Sequence, residues 1–228
     1  MDKKLEHYLN LEKLFISNGY KLFLVGGTVR DYLLKLPLTD MDAVTNATPE
    51  EIRAFLPNAD FTFSKYGSVS YKPEKEVKFD ITTLREENSY SDSRHPKVIR
   101  FVKELDIDVK RRDFTINGLY MDKDFEIIDF VGGVKDLKDK KIRMIGNPDE
   151  RLKEDPLRII RAFRFASDFD FELDEELKIA IRNNISELDK LNKEKIKMDI
   201  NKTSINKKDV LIKYFEEFGI KHLLDVVE

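Results

Sequence analysis

The pattern of apolar and polar residues divides the chain into two parts. In the first part, short apolar runs alternate with turn residues, which is typical of β-strands. These runs lie at residues 21–25, 61–71, 77–84 and 125–130. After Asn147 and Pro148 the spacing becomes helical, and no glycine follows until Gly219. We therefore predict an α+β domain over residues 1–145 and a smaller all-α domain over residues 146–228.

Within these two parts the pattern predicts individual elements. The runs 61–71 and 77–84 predict a pair of strands joined by a turn at residues 72–76. Helical periodicity is found at residues 175–183, 193–201 and 208–218. Residues 86–97 are polar and predict a mobile loop.

Composition excludes several classes of site. The chain has 228 residues, of which 41% are hydrophobic and 37% charged, so it can form a packed core beneath a polar surface. It has no cysteine and only three histidines, which excludes disulfides, zinc–thiolate sites and histidine-rich metal sites. Its N-terminal segment is charged, and no apolar run approaches the roughly 18 residues of a membrane span, so we expect a cytoplasmic protein. The net charge of −3 argues mildly against a polyanionic partner.

The first candidate motif is the segment LVGGTVRD at residues 24–31. It predicts a strand, a tight turn and a helix with Thr28 as its N-cap. Glycines let a phosphate approach the backbone, the helix start offers free N–H groups, and Arg30 could add a charged hydrogen bond. An ordinary strand–turn–helix corner would explain the same residues.

The second motif is an acidic pair, Asp40 and Asp42. In a strand these residues point to one face, where two carboxylates repel each other unless a cation neutralises them. Such a pair suits Mg²⁺ bound together with substrate phosphates. Two ions roughly 3.5–4 Å apart can assist phosphoryl transfer, and Asp80, on the polar face of the run 77–84, is the candidate third carboxylate. Solvated acids in a turn are the alternative.

Two further motifs are rich in arginine. The first contains Arg111, Arg112, Asp113 and Asn117, which suit phosphate or ribose hydroxyls, although a surface ion-pair cluster would look the same. The second starts a helix, with Asp155 as N-cap and Pro156 at the first helical position. Its polar face carries a stripe formed by Arg158, Arg161 and Arg164.

The arginine stripe has a functional and a simpler interpretation. Asp155 and Arg158 could present acceptors and donors to the edge of a base, and Phe165, on the arginine side, could stack on one. The simpler interpretation is a solvated helix face with ion pairs. Three arginines and no lysine favour phosphate recognition.

The order and spacing of these motifs closely resemble the class II family of tRNA nucleotidyltransferases and poly(A) polymerases, most of all the bacterial CCA-adding enzymes. The resemblance is carried by LFLVGGTVRDYLLKLPLTDMDAVTNATPEEI, VKFDITTLREENSYSDSRHP, VKRRDFTINGLYMD, IIDFVGGVKDLKDKKIR and EDPLRIIRAFRFA. It implies a polymerase-β-like nucleotidyltransferase head (palm) with a mixed sheet over residues 1–145. A helical neck and the start of a body domain would follow over residues 146–228.

The resemblance also implies roles for individual residues. The triphosphate would be held by Gly27 and Arg30. The metal would be bound by Asp40 and Asp42. Recognition of the ribose would fall to Arg111, Arg112, Asp113 and Asn117. The base of CTP or ATP would be read by Asp155 and Arg158, with help from Arg161 and Arg164. Residues 129–137 resemble a hinge, and residues 86–96 resemble a flexible loop required for the final A.

The implied activity is addition of CCA to tRNA 3′ ends from CTP and ATP with Mg²⁺. The 3′-hydroxyl attacks the α-phosphate and pyrophosphate leaves, chemistry that needs no histidine or cysteine base. The alternatives are an enzyme that adds only A, a poly(A) polymerase, and a catalytically silent RNA- or nucleotide-binding module. The loop at 86–96 argues against CC-only addition, the absence of a basic pair within YGSVSYKPEK argues against a polymerase, and the costly acidic pair argues against a silent module.

Three features depart from the family pattern. Lys35 replaces a usual glycine, and Gly118 replaces a usual alanine. Family members usually continue beyond a point equivalent to Glu228 into a body and tail that grip tRNA. The resemblance therefore implies a C-terminally short enzyme with weak, salt-sensitive RNA binding.

Overall fold

The computed structural model describes residues 2–90 and 96–224 and divides the chain into two compact units. The first unit comprises Met1–Asn88, Val98–Arg112 and Ile116–Val134. The second comprises Ser89–Lys97, Asp113–Thr115 and Lys135–Glu228. The motif at residues 111–117 is therefore shared between the units: its two arginines and Asn117 belong to the first unit, and Asp113 belongs to the second.

A six-stranded mixed sheet forms the centre of the first unit. Its strands are β1 (Leu22–Val25), β2 (Met41–Thr45), β3 (Ser68–Glu74), β4 (Val77–Thr83), β7 (Leu119–Met121) and β8 (Ile127–Asp129), in the order β3-β4-β2-β1-β7-β8. Strands β2 and β4 run parallel, and the other neighbours run antiparallel. A separate two-stranded sheet is formed by β5 (Arg85–Tyr90) and β6 (Pro96–Phe101).

Strand β4 shows why the sheet forms where the sequence predicts it. Its residues alternate between buried and partly exposed, with Phe79 and Ile81 on the buried face and Asp80 on the other. This period-2 pattern gives one face to the core and the opposite face to polar groups. The prediction for residues 77–84 is thus confirmed, and it places Asp80 on the polar face.

The partner strand differs from the prediction. Residues Ser64–Tyr66 form a 3₁₀ turn that ends at Gly67 with φ of +79°, so β3 begins only at Ser68. The strand then continues to Glu74, which shortens the predicted turn. Apolar side chains in a turn can resemble a strand in sequence, and here the left-handed glycine ends the turn.

The described residues within 86–97 are strand rather than loop. Residues 86–90 belong to β5, and residues 96 and 97 belong to β6, so the loop prediction is wrong there. Residues 91–95 lie outside the described residues. Polar side chains do not prevent strand pairing, because the backbone supplies the hydrogen bonds between strands.

The helices are α1 (Lys3–Ser17), α2 (Gly27–Leu33), α3 (Pro49–Phe55), α4 (Leu105–Asp108), α5 (Gly133–Lys138), α6 (Pro148–Glu154), α7 (Leu157–Phe169), α8 (Glu175–Asn184), α9 (Lys193–Ile200) and α10 (Lys208–Glu217). Helix α1 buries Tyr8 and Phe15, and the Tyr8 hydroxyl donates to the carbonyl of Leu22 on β1. This contact fixes the strand that leads into the first motif.

The second unit is mainly helical, and it begins before the predicted all-α domain of residues 146–228, since it also includes Lys135 onward and two shorter segments. Helices α8, α9 and α10 match the three predicted segments closely, and α7 packs against α9 and α10 around the fully buried Phe163. The prediction of an all-α region misses a parallel pair between β9 (Lys141–Ile142) and β10 (Glu172–Leu173). Strands of two residues are too short to leave a periodic pattern. Within residues 2–90 and 96–224, no helix combines the length and apolarity needed to cross a bilayer.

Candidate active site

The first motif forms a tight turn between β1 and α2. Gly26 has φ of +65° and ψ of −126°, a conformation that is essentially restricted to glycine, and helix α2 begins directly after it. The prediction of Thr28 as N-cap is wrong, because Thr28 lies inside the helix. Its hydroxyl accepts from the backbone N–H of Asp42 at 2.8 Å and lies 3.4 Å from the carbonyl of Asp40. Thr28 therefore ties the helix start to the acidic strand.

Arg30 connects the first motif to the third. Its side chain is buried, and Nη1 donates to Oδ1 of Asn117 at 2.7 Å, while Nε donates to Asp31 at 2.9 Å. A Cβ on Gly27 would lie 3.4 Å from Arg30 Nη2 and 3.7 Å from Asp42 Oδ2. Three of the predicted residues, Gly27, Arg30 and Asn117, are thus brought together beside Asp42.

The acidic residues converge on β2 and β4. Asp42 lies directly opposite Asp80 in the parallel register, and Asp40 precedes β2 by one residue. Burial by the surrounding protein and then the charge of Asp80 raise the pKa of Asp42 to about 6, against an opposing effect of Arg112. Protein atoms surround Asp42 on the walls of a cleft, but the cleft leaves its side chain accessible, so a ligand can reach it.

The donor set fits a divalent cation only in part. Over the part of the chain that the structure describes, no cluster of three or more Asp, Glu, His or Cys side chains is arranged as metal ligands. Asp80 accepts a hydrogen bond from Lys78 Nζ at 2.6 Å, so its carboxylate already has a cationic partner. Asp40 and Asp42 offer hard carboxylate oxygens. Burial, and then the charge of Asp80, raise the pKa of Asp42, and a bound cation would favour its ionised form. The pair fits Mg²⁺ whose other ligands come from phosphate and water; Asp80 as a catalytic carboxylate stays a prediction.

Arginines face these acids across the same cleft. A cavity of about 250 Å³ is lined by Asp42, Asp80, Arg85, Arg111 and Arg112, together with strand residues of the sheet. Positively and negatively charged side chains therefore line the same cavity. A ligand that carries phosphates and a divalent cation could bind here, with its phosphates at the arginines and its cation at the carboxylates.

A residue outside all four motifs holds the two adjacent arginines. The carboxylate of Asp108 is fully buried and accepts from Arg111 Nε at 2.8 Å, from Arg112 Nη2 at 2.9 Å and from the Tyr120 hydroxyl at 2.9 Å. Burial alone would raise the pKa of Asp108, but Arg112 and Arg111 outweigh it and lower the pKa to about 2. Sequence reasoning missed this residue; the signal was an acid three and four positions before two arginines.

In the second unit, Asp113 is bound to the arginine stripe. Arg161 donates to Asp113 Oδ2 through Nε at 2.8 Å and also through Nη2. Asp113 accepts a further bond from the backbone N–H of Phe114 at 2.8 Å. Asp113 of the third motif and Arg161 of the fourth are therefore joined by two hydrogen bonds to one carboxylate oxygen, within the second unit.

Helix α7 begins one residue later than predicted. Asp155 is the C-cap of α6 and Pro156 is the N-cap of α7, although the Asp155 carboxylate still accepts from the N–H of Leu157 at 3.1 Å. The two helices follow each other so closely that Asp155 serves the end of one and the start of the next. Arg158 is 5% exposed and donates to the carbonyl of Arg151 at 2.6 Å.

The arginine stripe is thus not a solvated face. Arg158 also contacts Glu154 at 3.1 Å, and Arg164 lies 3.9 Å from both Asp168 and Asp199. The ring of Phe165, which was predicted to be able to stack on a base, is 5% exposed and has protein partners. It packs edge-on against Phe114 with Arg164 Cζ 4.3 Å from its centre.

Comparison with known proteins decides the family. The profile of the family described as "Poly A polymerase head domain" matches residues 22–143, more than half of the chain. The chain belongs to the poly(A) polymerase head domain family. The family resemblance inferred from the motifs is confirmed, and the mixed sheet of the first unit is that of a polymerase-β-like head.

Members of the family that this chain resembles include tRNA-processing enzymes. A protein of Staphylococcus saprophyticus named "CCA-adding enzyme" is 39% identical over 216 residues, covering 94% of this chain and 52% of the relative. The crystal structure of the Bacillus stearothermophilus CCA-adding enzyme in complex with CTP superimposes with a TM-score of 0.79 at 34% identity, covering 88% of this chain and 48% of that one. A tRNA nucleotidyltransferase complexed with a primer tRNA and an incoming ATP analog gives 0.77 at 25% identity, covering 95% and 62%. This chain spans about half the length of the relatives it matches.

Proposed function

We propose that this chain is a nucleotidyltransferase that adds CCA to tRNA 3′ ends from CTP and ATP. The observation that carries the proposal is the cleft in which Asp42 and Asp80 face Arg111 and Arg112. Arginines bind the phosphates of a nucleotide, and carboxylates bind the cation that accompanies them. The names of the relatives support this choice, since they include CCA-adding enzymes and complexes with CTP or with tRNA and an ATP analog.

Asp40 and Asp42 would hold Mg²⁺. When bound, the ion would favour ionisation of the attacking 3′-hydroxyl and stabilise the charge that develops on the pyrophosphate. The protein's own part is to orient the triphosphate. Gly27 has no side chain that would separate the backbone from a phosphate, and Arg30 Nη2 lies 3.4 Å from where a Cβ would be. Transfer of this kind depends on positioning and charge stabilisation rather than on a protein base.

Arg111, Arg112 and Asn117 would orient the nucleotide over the acids. Asn117 is 7% exposed, and its amide oxygen is bound by Arg30, so the two side chains act as one rigid pair. Asp113 would act from the second unit, where it is paired with Arg161. A rigid arrangement lowers the entropic cost of placing the α-phosphate for attack.

The second unit would read the base. Asp155 offers acceptors and Arg158 offers donors, the two kinds of group that the base edges of CTP and ATP require, and Arg161 and Arg164 would support them. The first unit would serve as head, and the helices of residues 146–228 would serve as neck and start of a body. Choice between C and A would then depend on hydrogen bonding rather than on pocket size.

Incubation with tRNA transcripts tests the proposal. Transcripts ending before CCA, after the first C and after the second C are mixed with Mg²⁺ and each nucleoside triphosphate, singly and together, and resolved at single-nucleotide length. We expect C, C and A to be added in that order, followed by a stop. Long A tails would instead identify a poly(A) polymerase, and A addition alone an A-adding enzyme. No incorporation by folded protein would overturn the proposal.

Asp42→Asn tests the metal-binding assignment. Loss of one ligand charge should slow transfer by about a thousandfold, since the ion contributes several kcal/mol and each 1.4 kcal/mol is about tenfold in rate. Asp124→Asn is the matched control, because Asp124 is an exposed acid of the same unit that pairs with Lys123. Equal rates for the two variants would contradict the assignment.

Asp155→Asn tests base reading without removing the helix cap. Asparagine caps helices as well as aspartate, so the bond to Leu157 N–H is retained while one acceptor becomes a donor. We expect the preference between CTP and ATP to change by tenfold or more, and the summed incorporation to change less. Unchanged preference would remove Asp155 from base reading.

A further inference from the structure

One buried carboxylate in the first unit, that of Asp108, accepts hydrogen bonds from four different residues. Asp108 is 0% exposed, and its two oxygens are shared between different partners. Oδ1 accepts from Arg111 Nε at 2.8 Å and from the backbone N–H of Arg85 at 3.1 Å. Oδ2 accepts from Arg112 Nε at 3.1 Å and Nη2 at 2.9 Å, and from the Tyr120 hydroxyl at 2.9 Å.

This division assigns one oxygen to each arginine. Arg111 is bound through Nε, and Arg112 is bound along one edge of its guanidinium, so each plane has a defined orientation. Tyr120 adds a second constraint on Arg112, because Arg112 Nε lies 3.3 Å from its hydroxyl. A planar guanidinium held along one edge directs its remaining N–H groups elsewhere.

The two arginines are presented to the cleft. Each has a side chain that is 14% exposed, and both line the cavity that contains Asp42 and Asp80. Arg112 Nη1 is 3.6 Å from the position that a Cβ on Gly26 would occupy, so its guanidinium reaches the turn before α2. The turn and the arginines therefore border the same space.

The charges also favour an anion there. Asp108 is one acid shared by two arginines, and Glu87, 9% exposed, contacts Arg111 at 3.4 Å and Arg85 at 2.7 Å. Arg85, Arg111 and Arg112 thus form one charged network with these two carboxylates, beside the acidic pair. The three arginines line the cavity, and guanidinium groups donate strong charge-assisted hydrogen bonds to phosphates.

We propose that Asp108 is a positioning residue that orients Arg111 and Arg112 to bind the triphosphate of the incoming nucleotide. The inference rests on the proposed function. Arginine has high rotamer entropy, so a guanidinium fixed before the nucleotide arrives binds more tightly than a mobile one. Asp108 touches no substrate; it acts through the two arginines.

Asp108→Asn separates positioning from a merely structural role. Asparagine keeps the shape but loses the charge, and its amide cannot accept from both arginines. We expect KM for CTP and for ATP to rise tenfold or more, with kcat changing less than threefold. The dissociation constant of pyrophosphate should rise in parallel, whereas the CTP/ATP preference should stay within twofold.

Ile52→Ala is the control for lost stability. Ile52 is fully buried in α3 of the same unit and contributes nothing to the cleft, so the variant lowers Tm while KM for CTP stays unchanged. A KM that rises equally in this control and in Asp108→Asn would overturn the inference.

Tyr120→Phe keeps the test decisive if Asp108→Asn does not fold. It removes one partner of Asp108 Oδ2 and one contact of Arg112 but leaves every charge in place. We expect KM for CTP to rise two- to fivefold; an unchanged KM would overturn the inference.

Binding is also measured without RNA, by titrating CTP in the presence of Mg²⁺. Wild-type protein that binds CTP but extends no tRNA would refute the proposed function alone. Asp108→Asn protein that binds CTP within twofold of wild type would refute the positioning role alone. Wild-type protein that binds no CTP would refute both.

Discussion

The free energy of unfolding should depend on pH through the ionisation of Asp108, and replacing this one residue should remove that contribution. Its folded-state pKa is about 2, against an ordinary value of 3.8, because Arg112 and Arg111 outweigh the effect of burial. A lowered folded-state pKa means that ionised Asp108 stabilises the fold fully above its unfolded pKa. That stabilisation is lost as the pH falls towards 2.

The magnitude follows from the pKa difference. A shift from 3.8 to about 2 corresponds to about 2 kcal/mol of stability at neutral pH, at 1.36 kcal/mol per pKa unit. About half of this stabilisation should be lost at pH 3. Asp108 is fully buried, so solvent does not screen its contacts with the arginines.

The assay compares wild type with Asp108→Asn by urea denaturation from pH 7 to pH 3, followed by far-UV circular dichroism. Other acids titrate in both proteins, so they cancel in the difference between the two free energies of unfolding. At pH 7 the variant should be about 3–5 kcal/mol less stable, because it removes the buried carboxylate that Arg111 and Arg112 share. The difference should narrow by about 1 kcal/mol at pH 3. A difference that is constant with pH would refute the assigned charge network.

Three further substitutions test the packing. Gly67→Ala should lower the free energy of unfolding by about 1–3 kcal/mol in urea denaturation, because Gly67 has φ of +79° and a Cβ would lie 2.7 Å from the Phe101 ring. Phe163→Ala should cost about 3–5 kcal/mol by the same measurement, since this ring is fully buried and stacks on Tyr214 at 5.3 Å. Glu74→Gln should leave the midpoint of thermal unfolding essentially unchanged, because its ion pair with Lys3 is exposed.

Periodic elements could be predicted from the sequence because their patterns are local. The alternation of β4 and the helical spacing of α8 and α10 are visible in single stretches of residues, and the structure confirms them. Strands β9 and β10 could not be found in this way, since they depend on pairing between segments about 30 residues apart. Their formation is a property of the packed unit.

The candidate site could be predicted only in part, because residue types are visible in the sequence but contacts between distant segments are not. The acidic pair and the arginines were visible as residue types, and the structure places Asp42, Arg111 and Arg112 along one cleft. The role of Thr28 was not visible, because its hydroxyl is used by a strand that begins 13 residues later. Contacts of this kind are decided by the tertiary fold and not by local propensity.

The net charge of the chain gave little information about phosphate binding at the site, because it does not distinguish charges that are paired within the fold from those that are not. The balance of −3 includes acids such as Asp108 and Asp113, whose carboxylates are bound by arginines. These acids do not repel a polyanion at the surface; Asp108 holds Arg111 and Arg112 at the border of the cleft. A nearly neutral chain can therefore present a locally positive surface to phosphate, provided that buried carboxylates orient its arginines. The Asp108→Asn comparison measures this arrangement directly, because it removes one such carboxylate and leaves every arginine in the sequence.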